Sequence, residues 1–168
     1  MSGNIPTYEQ PAGHHLAELN IAKAVADLED PSMAGFMQSL DAVNAIADRS
    51  PGFVWRLQDE AGNATSFNRE GDPRQISNMS VWESDADLEF YIWNTVHRRF
   101  MKNRYRWFVP PAEPFFVMWW IEVGIVPTIE NALQRLARAR REGPSEDGFG
   151  WDNLPGARIW QTPGHPPA

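Results

Sequence analysis

The chain has 168 residues, with 15 Lys and Arg against 22 Asp and Glu, a formal charge of −7. That length suits one domain able to bury a real core. The absence of cysteine excludes a disulfide framework, a zinc–thiolate cluster and a cysteine nucleophile, and the acidic balance argues against broad nucleic-acid binding. Residues 1–13 are polar with no signal-like apolar segment, and the longest apolar run, Phe115 to Ile121, is too short to span a bilayer. The expectation is therefore a cytoplasmic protein with neither a membrane nor a nucleic-acid partner. Eight Trp supply side chains suited to pockets and interfaces.

In chain order, His15 to Ile21 reads as a strand. Leu16, Glu18 and Asn20 fall on one side and Ala17, Leu19 and Ile21 on the other. Asp30 with Pro31 opens a helix whose stripe is Met33, Phe36, Met37, Leu40, Val43 and Ala47, and Ser50-Pro51-Gly52 ends it. Phe53 to Gln58 alternates as a half-buried strand. Asp59 to Gln75, polar and holding Gly62, Gly71 and Pro73, is a long hairpin connection. Ile76 to Trp82 is a third strand.

Ser84 and Asp87 form a capping-box signal for a helix that runs to about Arg106, before Pro110-Pro111. Phe115 to Val123 is apolar on both faces, which predicts a central strand. Pro127-Thr128 opens a last helix striped by Ile129, Leu133, Leu136 and Ala137 and ending at Gly143-Pro144. Phe149 to Asp152 can form a short edge strand. Beyond Trp151 the Pro and Gly content predicts a tail lying on the surface or fraying.

The order β-α-β-β-α-β, plus one helix, predicts an α+β, ferredoxin-like fold: an antiparallel sheet with two helices on one face. The domain division expected is an arm over 1–13, a domain over 14–150 and a tail over 151–168. Two features strain this layout. The helix from Asp85 carries two apolar stripes: Leu88, Tyr91, Ile92, Thr95 and Val96 on one side, and Phe90, Trp93, His97, Phe100, Met101 and Arg104 on the other. Phe115 to Trp120 puts large groups on both sheet faces, only one of which those two helices would cover. Pairing two sheets face to face would hide the surplus and leave an aromatic-lined space for a hydrophobic small molecule.

Several stretches carry a family resemblance. They are Ala34-Gly35-Phe36, Ser50-Pro51-Gly52-Phe53-Val54-Trp55-Arg56-Leu57, Asn78-Met79-Ser80-Val81-Trp82-Glu83-Ser84, His97 with Arg104 and Trp107-Phe108, Trp119-Trp120, and Pro127-Thr128 through Gly143-Pro144. Their order and separations resemble the domain-of-unknown-function 3291 family over residues 14–150. The resemblance implies a dimeric α/β barrel, hence a homodimer of ferredoxin-like protomers. It implies no assigned reaction. Superfamily relatives include cofactor-free antibiotic-biosynthesis monooxygenases, heme-degrading and other heme enzymes, and polyketide cyclases. Heme-degrading members use an Asn, a Trp and a helical His. Asn20, Trp93 and His97 are of those types, but the Trp-to-His separation is shorter here, so their roles are not carried over.

The candidate site follows from residue chemistry. His97 can exchange a proton near neutral pH or ligate a heme; the competing reading is a histidine satisfied inside an interface. Arg104 suits a carboxylate or an oxyanion, or else an ion pair. Asn20 can polarise a carbonyl, or make an edge hydrogen bond. Trp93, Phe100, Met101, Trp55, Arg56, Trp82 and Trp119 are candidate substrate-binding residues, with the tryptophans equally at home in a core. His14-His15 point to opposite faces of a strand, so no metal site is expected. These readings yield a monooxygenase-like or cyclase- or isomerase-like enzyme needing no cofactor. The alternatives are a heme or hydrophobic-ligand binder with His97 as ligand, and a non-catalytic dimer.

Overall fold

The structure, a computed structural model, describes residues 5–60, 62, 64, 72–95 and 97–156, the side chain of His97 excepted. Four strands, β1 (His14–Lys23), β2 (Phe53–Arg56), β3 (Gln75–Trp82) and β4 (Phe116–Glu122), form one antiparallel sheet in the order β2-β3-β1-β4. Four helices accompany it: α1 (Ala34–Arg49), α2 (Asp85–Asn94), α3 (His97–Asn103) and α4 (Ile129–Glu142). This is the ferredoxin-like topology expected from the element order.

Local chemistry sets the boundaries. Asp30 accepts a hydrogen bond from the Ser32 amide (2.8 Å) and starts a 3-10 turn at Pro31 that leads into α1. Ser84 accepts from the Asp87 amide (3.2 Å) and donates to the Asp87 carboxylate (2.6 Å), capping α2. Thr128 caps α4 by accepting from the Asn131 amide. Gly52 sits at φ +73°, and a Cβ there would lie 2.2 Å from the Asp87 side chain. Only glycine fits between β2 and the start of α2.

Register divides the sheet into two faces. Glu18 pairs with Ser80 and Met118, and Leu16 pairs with Trp82 and Trp120. With Asn20 these form the face that meets Val43 and Ala47 of α1 and Leu88 and Tyr91 of α2. Thus α1 and α2 share one face, as expected. On the other face Ala17, Leu19, Met79, Val81, Val117 and Trp119 pack with Ala132 and Leu136 of α4. A third cluster, at the far end of β1, joins Met33 and Phe36 to Phe100, Trp107 and Phe108.

Three expectations change. First, α4 seals the second face within one chain: Leu19 and Met79 are fully buried and Trp119 is 1% exposed. The unburied sheet that called for a second copy is therefore absent at its centre. Second, β4 is an edge strand, not a central one. It is apolar on both sides because α4 covers one side and the segment 149–154 covers its edge and the other. Phe149 exchanges backbone hydrogen bonds with Met118 (2.8 and 2.9 Å), and Trp151 and Leu154 join the core instead of lying on the surface. Residues 157–168 lie outside the described residues.

Third, the helix expected from Asp85 to Arg106 is broken. Thr95 takes extended backbone angles and its hydroxyl donates to the Tyr91 carbonyl, so α2 ends and α3 restarts at His97. The break redirects the second apolar stripe. Trp93 is buried, and Phe100 meets Phe36 and Trp107 with ring centroids 6.3 and 5.5 Å apart. Phe90 is left 48% exposed.

Candidate active site

Charged side chains seldom sit mid-strand on a buried sheet face, because losing water disfavours the ionised form. Glu18 does so, on β1 between the sheet and the helices, at 4% exposure. Ser80, directly across on β3, donates to its Oε1 (2.5 Å), and the Asn20 amide donates to its Oε2 (3.3 Å). The Trp82 indole N–H donates in turn to the Ser80 hydroxyl (2.9 Å), which fixes that hydroxyl's proton toward the carboxyl. Trp82 stacks on Tyr91 at 5.0 Å. The chain Trp82–Ser80–Glu18–Asn20 thus runs across the sheet under α1 and α2.

No Lys or Arg pairs with Glu18 among the described residues. Burial therefore dominates and raises its pKa from 4.5 to about 7, the hydrogen bonds from Ser80 and Asn20 pulling the other way. The Tyr91 phenol is pushed well above its ordinary value, first by burial and then by the negative charge of Glu18. A carboxyl that is half-ionised near neutrality can both take and return a proton.

The expected site residues fall into separate places. Asn20, Arg56 and Trp82 are on the helix-facing side or its margin. Asn20 and Trp82 belong to the network just described. Arg56 is committed elsewhere: it holds Asp48 of α1 (2.7 Å) and the Gly62 carbonyl (2.7 Å). Trp55 and Trp119 belong to the opposite face, packed with α4, and Arg135 lies over the Trp119 ring at 5.2 Å. They cannot share a site with Asn20, because the sheet lies between them. Phe100 serves the third cluster, and Met101 is half-buried beside it on α3. Arg104 follows α3 in a 3-10 turn, bonded to the Tyr105 hydroxyl (2.9 Å), with its Nη1 shut away from solvent and unpaired. The imidazole of His97 lies outside the described residues. Asn20 is bonded to Glu18 and borders neither cleft, so it does not present a heme-binding face together with Trp93.

Trp93 lines a different space. A cleft of about 800 Å³ opens at the α2–α3 break, bounded by Ile46, Trp93, Asn94, Thr95, Arg98, Arg99 and Lys102. A second, of about 530 Å³, lies under the segment 111–117 and the strip 148–153. Neither cavity is bounded by Glu18. Among the described residues no group of three or more His, Asp or Glu could hold a metal ion.

Sequence reasoning placed Glu18 on the same strand face as Asn20 without assigning it a role. The available signal was its position: an acid two residues from Leu16, on the strand face that the helices cover.

Fold and site together define an α+β ferredoxin-like protein with an acid sealed between sheet and helices. The chain belongs to the family described as Domain of unknown function (DUF3291), which matches residues 15–163. No curated protein matches it. Among solved structures it is similar to a protein of unknown function from Nitrosomonas europaea, at 12% identity and TM-score 0.43, over 70% of this chain and 97% of that one. A Pseudomonas aeruginosa protein is similar at 17% identity and TM-score 0.43, over 71% and 97%. A Nitrosomonas europaea protein provisionally named an antibiotic biosynthesis monooxygenase is similar at 16% identity and TM-score 0.45, over 72% and 98%.

Proposed function

We propose that this chain is an enzyme that moves a proton on a hydrophobic carbon acid or phenol, with Glu18 as the acid–base group, approached from the side of Asn20, the one member of its network that is only half-buried. Loss of that proton leaves an enolate or phenolate, the electron-rich species that either rearranges or adds dioxygen. The reading thus covers both a cyclase- or isomerase-like and a cofactor-free, monooxygenase-like reaction. Ser80 and Asn20 position the carboxyl, and Trp82 orients Ser80. The observation that carries the reading is a buried carboxyl between sheet and helices, held by two neutral hydrogen-bond donors and no cation. A residue serving stability alone would be better replaced by an apolar one at that position.

The test uses a panel of activated phenols and 1,3-diketones, followed by oxygen uptake and by deuterium exchange from solvent. The wild-type rate is expected to change through about pH 7, and Glu18→Gln to lose about a hundredfold or more with its circular dichroism unchanged. Glu18→Gln turning over as fast as wild type refutes the assignment. Carbon-13 NMR of the labelled Glu18 carboxyl reports its titration independently of any substrate.

A homodimer remains part of the proposal, but its contact shifts from the sheet centre to the sheet end. There Val123, Ile125 and Val126, in the turn from β4 to α4, are each more than half exposed. Sedimentation of wild type and Ile125→Glu decides it: a dimer that Ile125→Glu splits supports this contact, and a wild-type monomer rejects it.

A further inference from the structure

Charge is distributed very unevenly along this acidic chain. No Asp or Glu occurs between Glu89 and Glu113, while Arg98, Arg99, Lys102, Arg104 and Arg106 all fall in that interval. Elsewhere most described cations are neutralised, Arg49 being the exception. Lys23, Arg56, Arg74, Arg135, Arg138, Arg140 and Arg141 each contact a carboxylate. Within 98–106, no ion pair forms among the described residues.

Three of these five cations, Arg98, Arg99 and Lys102, line one cleft with Ile46 and Trp93. Like charges on successive turns of a short helix repel. The repulsion is relieved when an anion sits among them, and guanidinium groups suit the paired oxygens of phosphate and carboxylate. The cleft is shallow and open to solvent, broad enough to take a small organic molecule at its surface. Ile46 and Trp93 add an apolar wall, so a purely inorganic ion would leave part of the cleft unused.

We propose that the cleft at the α2–α3 break binds a small organic anion, a phosphate or carboxylate on an apolar body, through Arg98, Arg99 and Lys102. The site stands apart from Glu18 and does not depend on the acid–base reading.

Titration calorimetry of the full chain with 2-naphthyl phosphate, 2-naphthoate and pyrophosphate tests it. Binding of the phosphate ester above the carboxylate identifies phosphate as the anionic group, and the reverse order identifies carboxylate. Pyrophosphate reports what charge achieves without the apolar body. The triple variant Arg98→Gln, Arg99→Gln, Lys102→Gln is expected to weaken the better naphthyl probe about tenfold or more. A control, Arg138→Gln, Arg140→Gln, Arg141→Gln, removes the same charge from α4 and is expected to change binding less than threefold. Equal weakening by both variants would reduce the effect to the overall field and overturn the site. So would failure of both naphthyl probes to bind in the millimolar range, or binding of anionic lipid vesicles or RNA without either probe.

Discussion

Replacing Glu18 by Gln keeps the shape of the side chain and one acceptor oxygen, for Ser80, and removes its ionisation. The effect on stability follows from linkage. In the unfolded chain the carboxyl has its ordinary pKa, 4.5, and in the folded chain about 7. Below the lower value both states hold the proton, and stability is at its fullest. Between the two values the unfolded chain releases its proton while the folded chain retains it, so rising pH favours unfolding. Above the folded value both are ionised and the loss is complete. The total is about 3 kcal/mol, with no allowance for solvent screening because the carboxyl is buried.

Urea unfolding of both proteins at about pH 4.5 and about pH 8 reads it directly. The wild type is expected to lose roughly 3 kcal/mol more than Glu18→Gln across that interval. The carboxyls held below their ordinary range, Asp30 by Ser32 and Asp72 by Lys23, act in the opposite sense at lower pH. They are common to both proteins and cancel in the difference. Parallel curves for the two proteins would show that Glu18 is ionised in the fold at neutral pH, and the acid–base assignment would go with them.

Three further outcomes test the architecture. Leu136→Ala removes an α4 side chain buried against Trp119 and Val117 and is expected to cost about 2–5 kcal/mol in urea unfolding; a cost near zero would mean α4 does not seal that face. Gly52→Ala forces a Cβ onto Asp87 at positive φ and is expected to cost about 1–3 kcal/mol, read as a lowered Tm. Trp151→Ala, which strips the ring stacked on Phe116 at 6.0 Å, is expected to cost about 3–5 kcal/mol. It should also speed amide exchange at Met118, and unchanged exchange there would show that the strip is held without it.

Much of the fold is legible in the residues themselves. Asp30-Pro31, Ser84 with Asp87, and Thr128 announce helix starts through chemistry local to each, and the structure uses all three. Alternation in β1 separates Leu16 and Glu18 from Ala17 and Leu19, and the register keeps that separation. What escapes is set by contacts distant in sequence. An apolar run such as Phe116 to Ile121 looks the same whether a neighbouring strand or a returning segment covers it, so β4 reads as central although it lies at an edge.

The break at Thr95 carries neither Gly nor Pro. Its signal is a hydroxyl that bonds back to Tyr91, a bond that many unbroken helices also contain. At the candidate site, Asn20 and Trp82 are identified as functional types before their partners are visible. Glu18 gains its meaning only when Ser80, 62 positions away, is brought opposite it.

The strip that closes the edge of β4 has a consequence for how the molecule is made. The Tyr8 amide donates to the Asn153 carbonyl and the Asn153 amide group to the Pro6 carbonyl, so the earliest and latest described stretches clasp each other. During synthesis the sheet must wait, with one border bare, until residues 149–154 leave the ribosome. A bare border of this kind invites pairing with a neighbouring nascent chain. Messages truncated just short of codon 149 should therefore yield insoluble product, whereas those extending past 154 should not.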